Sequence, residues 1–543
     1  MKKIYKLLIA GAILSTTAAC SSDYLDLKPQ TSADPETLFE SPDVAQYAVN
    51  ALGRIMSTQY LSTQGYNGEG TVYAYNGEFP GDAIQFNNKT GWANIAKQNY
   101  NTSANTNVQF GWYYYYKLIG NANQILSYIP TEQAPEDVAG WQWVKAQTLT
   151  YRAYAYTMLS QLFSRRWSEA KGLQRGVVLR LDTSDDPMPC STMGEVFAQI
   201  YKDLDEAIEL FDQCEIKRTV SDDPKKDKRW MTDSNVAHAV YTRAALIRED
   251  WNTVVTHASK ARQGFTIMGT ENYQTGFNTA NKEWIWEVFE DDTQAMYYYS
   301  FYNYASASCL GSNSRQYPPS ISKQIVDGVD ANDARMAIYA IPTADELAEV
   351  KVASRNARVT KGKFFDRVMN DYISRIYYTS SSSTYIFFYL STKFIVKSGT
   401  GDGCIPIFRA AEMYYAEAEA QYHLGNFTAA QKALEATVTP YNEDYTCTKT
   451  GDDLFKEIKA YRKFDLANEG HSFFDLKRWG DSMDRKSWSD GGSWISNFIE
   501  DYGPEAKNRW TIIIPNSEAN YNPLVSKVEQ INPDGTWDNA GSK

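Results

Sequence analysis

The stretch that most constrains the chain is Ile405 to Thr437, IPIFRAAEMYYAEAEAQYHLGNFTAAQKALEAT. Its spacing predicts two short helices joined at Leu424-Gly425-Asn426. Ala416, Ala420, Ala430 and Ala433 fall where such helices would cross, and Tyr415, Leu424, Phe427 and Leu434 fill the space between them. The sequence NVAHAVYTRAALIREDWNTVVTHASKA repeats the pattern upstream, with Glu249-Asp250 as the turn and Trp251, Val254 and Ala258 in matching places. Stacked hairpins of this kind bury a continuous core and leave a face for partners.

An LG pair closing the first helix, an aromatic opening the second, and Ala at the third and sixth positions after it form the pattern of a tetratricopeptide-like (TPR-like) repeat. Here those positions are Leu424-Gly425, Phe427, Ala430 and Ala433. Two ordinary antiparallel helix pairs would satisfy the same spacing, and that alternative stays open at this level.

The chain of 543 residues is long enough to bury a large core and to form more than one lobe. Residues 1–19 read as a leader: basic Met1-Lys2-Lys3, an apolar run from Leu7 to Leu14 too short to span a bilayer, then small residues ending at Thr17-Ala18-Ala19-Cys20. A Cys directly after two small residues resembles a bacterial lipobox, with cleavage before Cys20 and a lipid attached to it. Thr17 stands where an aliphatic residue is usual. Residues 20–40 then form a polar, acidic tether. Losing a leader with three lysines and no acid takes the formal charge from −12 to −15, which argues against a nucleic-acid or anionic-membrane surface. The five later cysteines are odd in number and lack CxxC spacing, so neither full pairing nor a structural zinc site is expected.

Residues 41–265 read as a helical TPR-like part. Ser41-Pro42-Asp43 starts a helix whose apolar positions are Val44, Tyr47, Ala48, Leu52 and Ile55. Helices follow from Phe110 to Ile129, from Trp141 to Phe163 with a stripe at Ala146, Leu149, Ala153, Tyr156, Leu159 and Phe163, and from Thr192 to Phe211. In the last, Asp203, Asp205, Glu206 and Glu209 are expected to face water. Between the first two lies a polar, aromatic run, 60–110, too long for a mere connection. Residues 266–404 change character toward Gly, Ser, Asn and Tyr, with strand-like patches at Trp284-Ile285-Trp286 and Tyr385 to Leu390, and read as an irregular inserted lobe. Residues 405–543 return to a TPR-like hairpin and an irregular tail. The fold class expected is mainly α: about four helical pairs supporting a loop-rich ligand lobe with a few short strands.

Several blocks together resemble the SusD/RagB family of outer-membrane nutrient-binding lipoproteins. They are CSSDYLDLKPQ after the leader; Arg152, Ala153 and Tyr156 in KAQTLTYRAYAYTMLSQLF; IYKDLDEAIEL; IPIFRAAEMYYAEAEA; Glu469, Gly470 and Phe474 to Trp479 in EGHSFFDLKRWG; and Ile514, Pro515, Glu518, Asn522 and Pro523 near the end. His471 and Ser472 depart from the common EGxRxxD run. The resemblance implies a helical platform held at the cell surface by lipid on Cys20, capture of an oligosaccharide or polysaccharide without chemistry, and delivery to a SusC-like TonB-dependent transporter. In some members the ligand is a peptide.

Sugar rings pack their C–H faces on aromatics and need amides, carboxylates or guanidiniums for their hydroxyls. YAYNGEFPGDAIQFNNKTGW offers Tyr75, Asp82, Asn87 and Trp92 within one stretch, and DDTQAMYYYSFYNY offers Tyr297, Tyr298 and Tyr302. Trp92, Asp82 and Tyr298 head this set, because family members place ligand contacts in corresponding loops; each residue type also suits a core. By contrast Tyr113 to Tyr116, Trp141 and Trp143 are expected in the core, and Trp284 and Trp286 to leave at most one face free. With 39 Tyr in the chain, more than a core needs, a share is expected on a binding surface. Neither HExxH nor GxSxG occurs, no cofactor is expected, and Arg409 with Glu412 reads as an exposed helix-face ion pair. The rival readings are a peptide-binding member, a glycoside hydrolase with a carboxylate pair in a cleft, and a periplasmic TPR adaptor for protein alone.

Overall fold

In the computed structural model of the chain the described residues are 35–58, 65–86, 93–98, 102–290, 300–379, 381–396, 401–503, 510–525, 530–531 and 537–538. The frame is helical: α1 Pro42–Ile55, α2 Thr106–Tyr128, α3 Val138–Phe163, α4 Met193–Cys214, α5 Ser234–Ile247, α6 Trp251–Ala261, α7 Ala410–His423, α8 Phe427–Val438, α9 Gly451–Asp465 and α10 Ser472–Trp479. Local chemistry sets several starts. Asn105 accepts from the Asn107 N–H, Asp233 accepts from the Val236 N–H, and Thr192 with Glu195 closes a capping box. The helices pack in successive pairs, α1 with α2, α3 with α4, α5 with α6, and α7 with α8. Turns are tight where Glu249 (φ 59°) and Gly425 (φ 78°) take left-handed backbone.

The alanines of α7 divide their work. Ala416 and Ala420 meet Ala245, Leu246 and Val254 of the preceding hairpin, whereas Ala411, Tyr415 and Ala418 join Ala430, Ala433 and Leu434 inside their own. Small side chains thus permit both the crossing within a hairpin and the stacking between hairpins.

Several expectations are corrected. Ile405–Arg409 is not helical but a strand, paired antiparallel with Trp284–Val288 through Trp284↔Arg409 and Val288↔Ile405. Both faces of that ribbon are covered, so Trp284 and Trp286 are each fully buried and neither is free. The α1 face is rotated from the expected one: Pro42, Ala45, Val49 and Leu52 point inward and Tyr47 is 70% exposed. α3 is buried on nearly all sides rather than along one stripe, since α2 and α4 cover opposite flanks. Asp203 does not face water, because Arg152 Nε and Nη2 reach its two carboxylate oxygens at 2.7 Å each. Of the Tyr385 to Leu390 patch only its end is strand, Leu390–Ser391.

A four-stranded antiparallel sheet fastens the 60–110 excursion to the later part of the chain. β1 Ile84–Phe86 pairs with β3 Pro319–Ile321, which meets β5 Leu390–Ser391, which meets β4 Tyr339–Ala340; β2 Trp284–Val288 and β6 Ile405–Arg409 form the separate ribbon described above. One hydrophobic cluster runs from Ala45 to Val525 through all of these strands, and the buried apolar residues of α8 form a separate one with parts of α7 and α9.

Several charged residues inside the core form ion pairs. Arg409 is held by Glu469 (2.7 Å), Asp465 (3.1 Å) and Glu283, and Arg335 by Asp333 (2.7 Å) and Asp465 (3.0 Å). Glu412 lies with Arg243 (2.8 Å) in the interior, so the exposed Arg409 and Glu412 pair expected from sequence does not form. Burial would raise the Asp465 carboxyl, but Arg409, Arg335 and Lys393 outweigh it and bring it down to about 2.

Candidate functional site

Residues 67–86 hold two of the candidate ligand contacts, Tyr75 and Asp82, and both are buried. A short helix Gly68–Val72 runs into a π-turn Tyr73–Glu78, and the chain then threads beneath α10. Gly77 is required there, since a Cβ would stand 2.0 Å from the Gly470 carbonyl oxygen. Arg485 gathers the carbonyls of this irregular backbone, donating to Phe79 (2.9 Å), Gly81 (3.0 Å) and Ala96 (2.9 Å). Glu69 accepts hydroxyls from Tyr114 (2.9 Å), Tyr115 (2.7 Å) and Tyr154 (2.7 Å). Burial raises its carboxyl above the usual range against the pull of those three hydroxyls and Arg243. Much of the tyrosine content is accounted for in this way, as hydroxyls satisfying buried acceptors.

Tyr75 belongs to this core: its hydroxyl is 2.7 Å from that of Tyr304, so it is removed from the candidate ligand contacts. Tyr302 is likewise removed, being fully buried with its hydroxyl donating to the carbonyls of Phe277 (2.6 Å) and Cys404 (2.7 Å). Trp92, Asn87, Tyr297 and Tyr298 lie outside the described residues. Asp82 is placed at the rim of a groove.

That groove has a volume of about 450 Å³ and lies between α9, the Lys323–Val326 turn and Asp481–Asp484. Lys456, Lys459 and Lys463 occupy one α9 face at spacings of three and four, facing Asp82, Asp481 and Asp484. Lys463 bonds Asp82 at 2.9 Å and Lys459 bonds Asp481 at 2.7 Å. The groove therefore offers opposite charges in ready-made pairs, and in the sequence Asp82 lies five residues before Asn87.

A second recess, of about 200 Å³, opens where α1 ends. Asn50, Gly53 and Arg54 line it from successive turns of α1, Tyr151 and Val288 form an apolar floor, and Trp230, Phe289 and Glu287 complete the wall. Arg54 Nη1 is anchored on Ser57 Oγ at 3.2 Å. Trp230 is fixed through its carbonyl, which accepts from Trp286 Nε1 at 3.1 Å, and Phe289 keeps 37% of its surface exposed. Phe289 lies just before residues 291–299, which include Tyr297 and Tyr298. Aromatic rings, a guanidinium, an amide and a carboxylate thus converge in a space suited to one or two small polar rings.

Sequence reasoning passed over Asn50, Arg54, Trp230, Glu287, Phe289 and the three lysines. A signal existed for Trp230, a lone aromatic in the charged loop DDPKKDKRW, and for Asn50 with Arg54, four apart on one helix face. Among the described residues no cluster of His, Cys, Asp and Glu could hold a metal ion. The four histidines pack: His238 Nδ1 lies 2.9 Å from His257 Nδ1, His423 stacks on Trp251 with centroids 4.1 Å apart, and burial pushes His471 well below its ordinary range.

Comparison with known proteins gives a consistent result. Residues 256–540 match the SusD family, and residues 23–227 match a family described as starch-binding, associating with the outer membrane. A SusD superfamily protein from Bacteroides thetaiotaomicron has the same fold, with a TM-score of 0.71 and 18% identity over 90% of this chain and 100% of its own. A SusD-like carbohydrate binding protein from Bacteroides vulgatus gives 0.69 and 19% over 90% and 98%, and a surface glycan-binding protein A from Bacteroides fluxus gives 0.62 and 14% over 90% and 99%. No curated protein sequence matches the chain.

Proposed function

This chain belongs to the SusD family, and from that membership we propose that it is a lipid-anchored, surface-exposed binder of oligosaccharide or polysaccharide that passes its ligand to a SusC-like TonB-dependent outer-membrane transporter. The observation that carries the reading is the Arg54 recess, where Phe289 and Trp230 stand beside Arg54, Asn50 and Glu287. Rings of that kind cover a sugar's apolar face while the polar groups meet its hydroxyls. The matched families and fold neighbours, described as starch-binding, carbohydrate-binding and glycan-binding, support the ligand class. Trp92, Asn87, Tyr297 and Tyr298 are proposed as further ligand contacts beside Asp82.

Anchoring is proposed through Cys20. Among the described residues no helix is long and apolar enough to cross a membrane. Cys20→Ala should move the protein from the membrane fraction to the soluble one, and continued attachment would contradict the lipid reading.

The test of ligand class is native affinity electrophoresis of the chain beginning after Cys20, through gels carrying plant, fungal, microbial and host polysaccharides. Retardation by a polymer that stays intact supports glycan capture and names its source. No retardation with any polymer, together with binding of short peptides, would replace the reading by the peptide one. Degradation of the polymer would establish a hydrolase.

A further inference from the structure

A small recess lies where α3 ends against α10, apart from the two described above. Its wall includes Ser160 and Ser164 from the end of α3, Arg165 and Arg166 just beyond, and Lys477 and Arg478 from α10. Four of these six are cations, and no Asp or Glu lines the space. Glu169 meets Arg165 at 3.5 Å and Arg166 at 3.3 Å, and Glu419 with Asp475 holds Arg478 (2.8 Å each). The carbonyls that end α3 are engaged too: Lys477 Nζ donates to Gln161 (2.6 Å) and Ser164 (2.7 Å), offsetting the negative end of the helix.

Ser160 and Ser164 are 1% and 0% exposed, and neither hydroxyl has a hydrogen-bond partner among the described residues. Buried hydroxyls left so are costly and call for an occupant. The volume, about 20 Å³, admits one atom-sized guest. The four cations in the wall, with no carboxylate among the lining residues, favour an anion over a water as the occupant. We propose that the space holds one halide-sized anion, which accepts the hydroxyls of Ser160 and Ser164 and ties α10 to the helical frame through the surrounding cations.

The test uses the full chain purified in mild detergent, titrated with sodium bromide at ionic strength held constant by sodium methanesulfonate, whose anion is too large for the space. The expected result is a saturable rise in Tm that is lost in the Ser160→Ala/Ser164→Ala double variant. Those hydroxyls hold nothing in the protein, so the variant is expected to fold. Wild-type crystals grown in bromide give a second reading that needs no variant: an anomalous peak within hydrogen-bond distance of both serine oxygens. Absence of that peak, a Tm that does not saturate, an equal rise in the double variant, or a peak with no accompanying Tm response would overturn the proposal.

Discussion

Removing the guanidinium of Arg152 would leave the Asp203 carboxylate at the α3 and α4 contact with little to replace it. Asp203 is 1% exposed, and beyond the two 2.7 Å bonds from Arg152 it keeps a 2.6 Å bond from Gln199 Nε2. The same change strips Asn123 Oδ1 of the 2.9 Å bond from Arg152 Nη1, while Asn123 Nδ2 still holds the carbonyls of Arg180 and Asp182. Breaking a buried pair on one side costs about 3–5 kcal/mol, because a charge remains without compensation. Arg152→Ala is therefore expected to lose about 4 kcal/mol in urea unfolding followed by circular dichroism. Arg152→Met with Asp203→Leu is expected to recover most of it, since apolar side chains of similar size remove the orphaned charge. A single variant that loses under about 1 kcal/mol, the range of an exposed pair, would refute the argument that this contact fastens the second helical pair.

Trp230→Ala should weaken binding of the retained glycan by about tenfold, the equivalent of about 1.4 kcal/mol, with unchanged urea unfolding, as measured by calorimetric titration; unchanged affinity would remove Trp230 from the site. Stability should also fall with acid through His238. Burial first, and then His257 and Lys260, depress its folded pKa from 6.5 to about 3. Below pH 6.5 the unfolded chain takes up a proton that the folded chain refuses until about pH 3, so stability is lost across that window by up to about 1.4 kcal/mol per pH unit. His238→Asn should flatten the slope between pH 6 and 4, and an unaltered slope would assign the acid sensitivity elsewhere.

Much of the frame was legible because helical spacing is a local property. The turns at Glu249 and Gly425, the Pro42 start and the Thr192 boundary each follow from a few neighbouring residues. Burial is not local, and there the reading failed in a consistent direction: Tyr75, Tyr302, Glu412 and Asp203 are polar groups in aromatic or acidic stretches that looked like surface. Each has its partner far along the chain, as Tyr302 has Cys404 and Glu412 has Arg243, and no window of sequence contains both. The candidate site shows the same limit, since Arg54, Trp230 and Glu287 meet only through the packing of α1, α3 and the Trp284–Val288 strand.

Periodicity and motif order survive in one dimension, so the helical pairs and, through ordered motifs along the chain, the family were readable from the residues alone. Which tyrosines, acids and arginines are interior and which line an opening depends on packing in three dimensions. A polar side chain is stable in either place if its hydrogen bonds are met, and the groups that meet them here come from tens to hundreds of residues away.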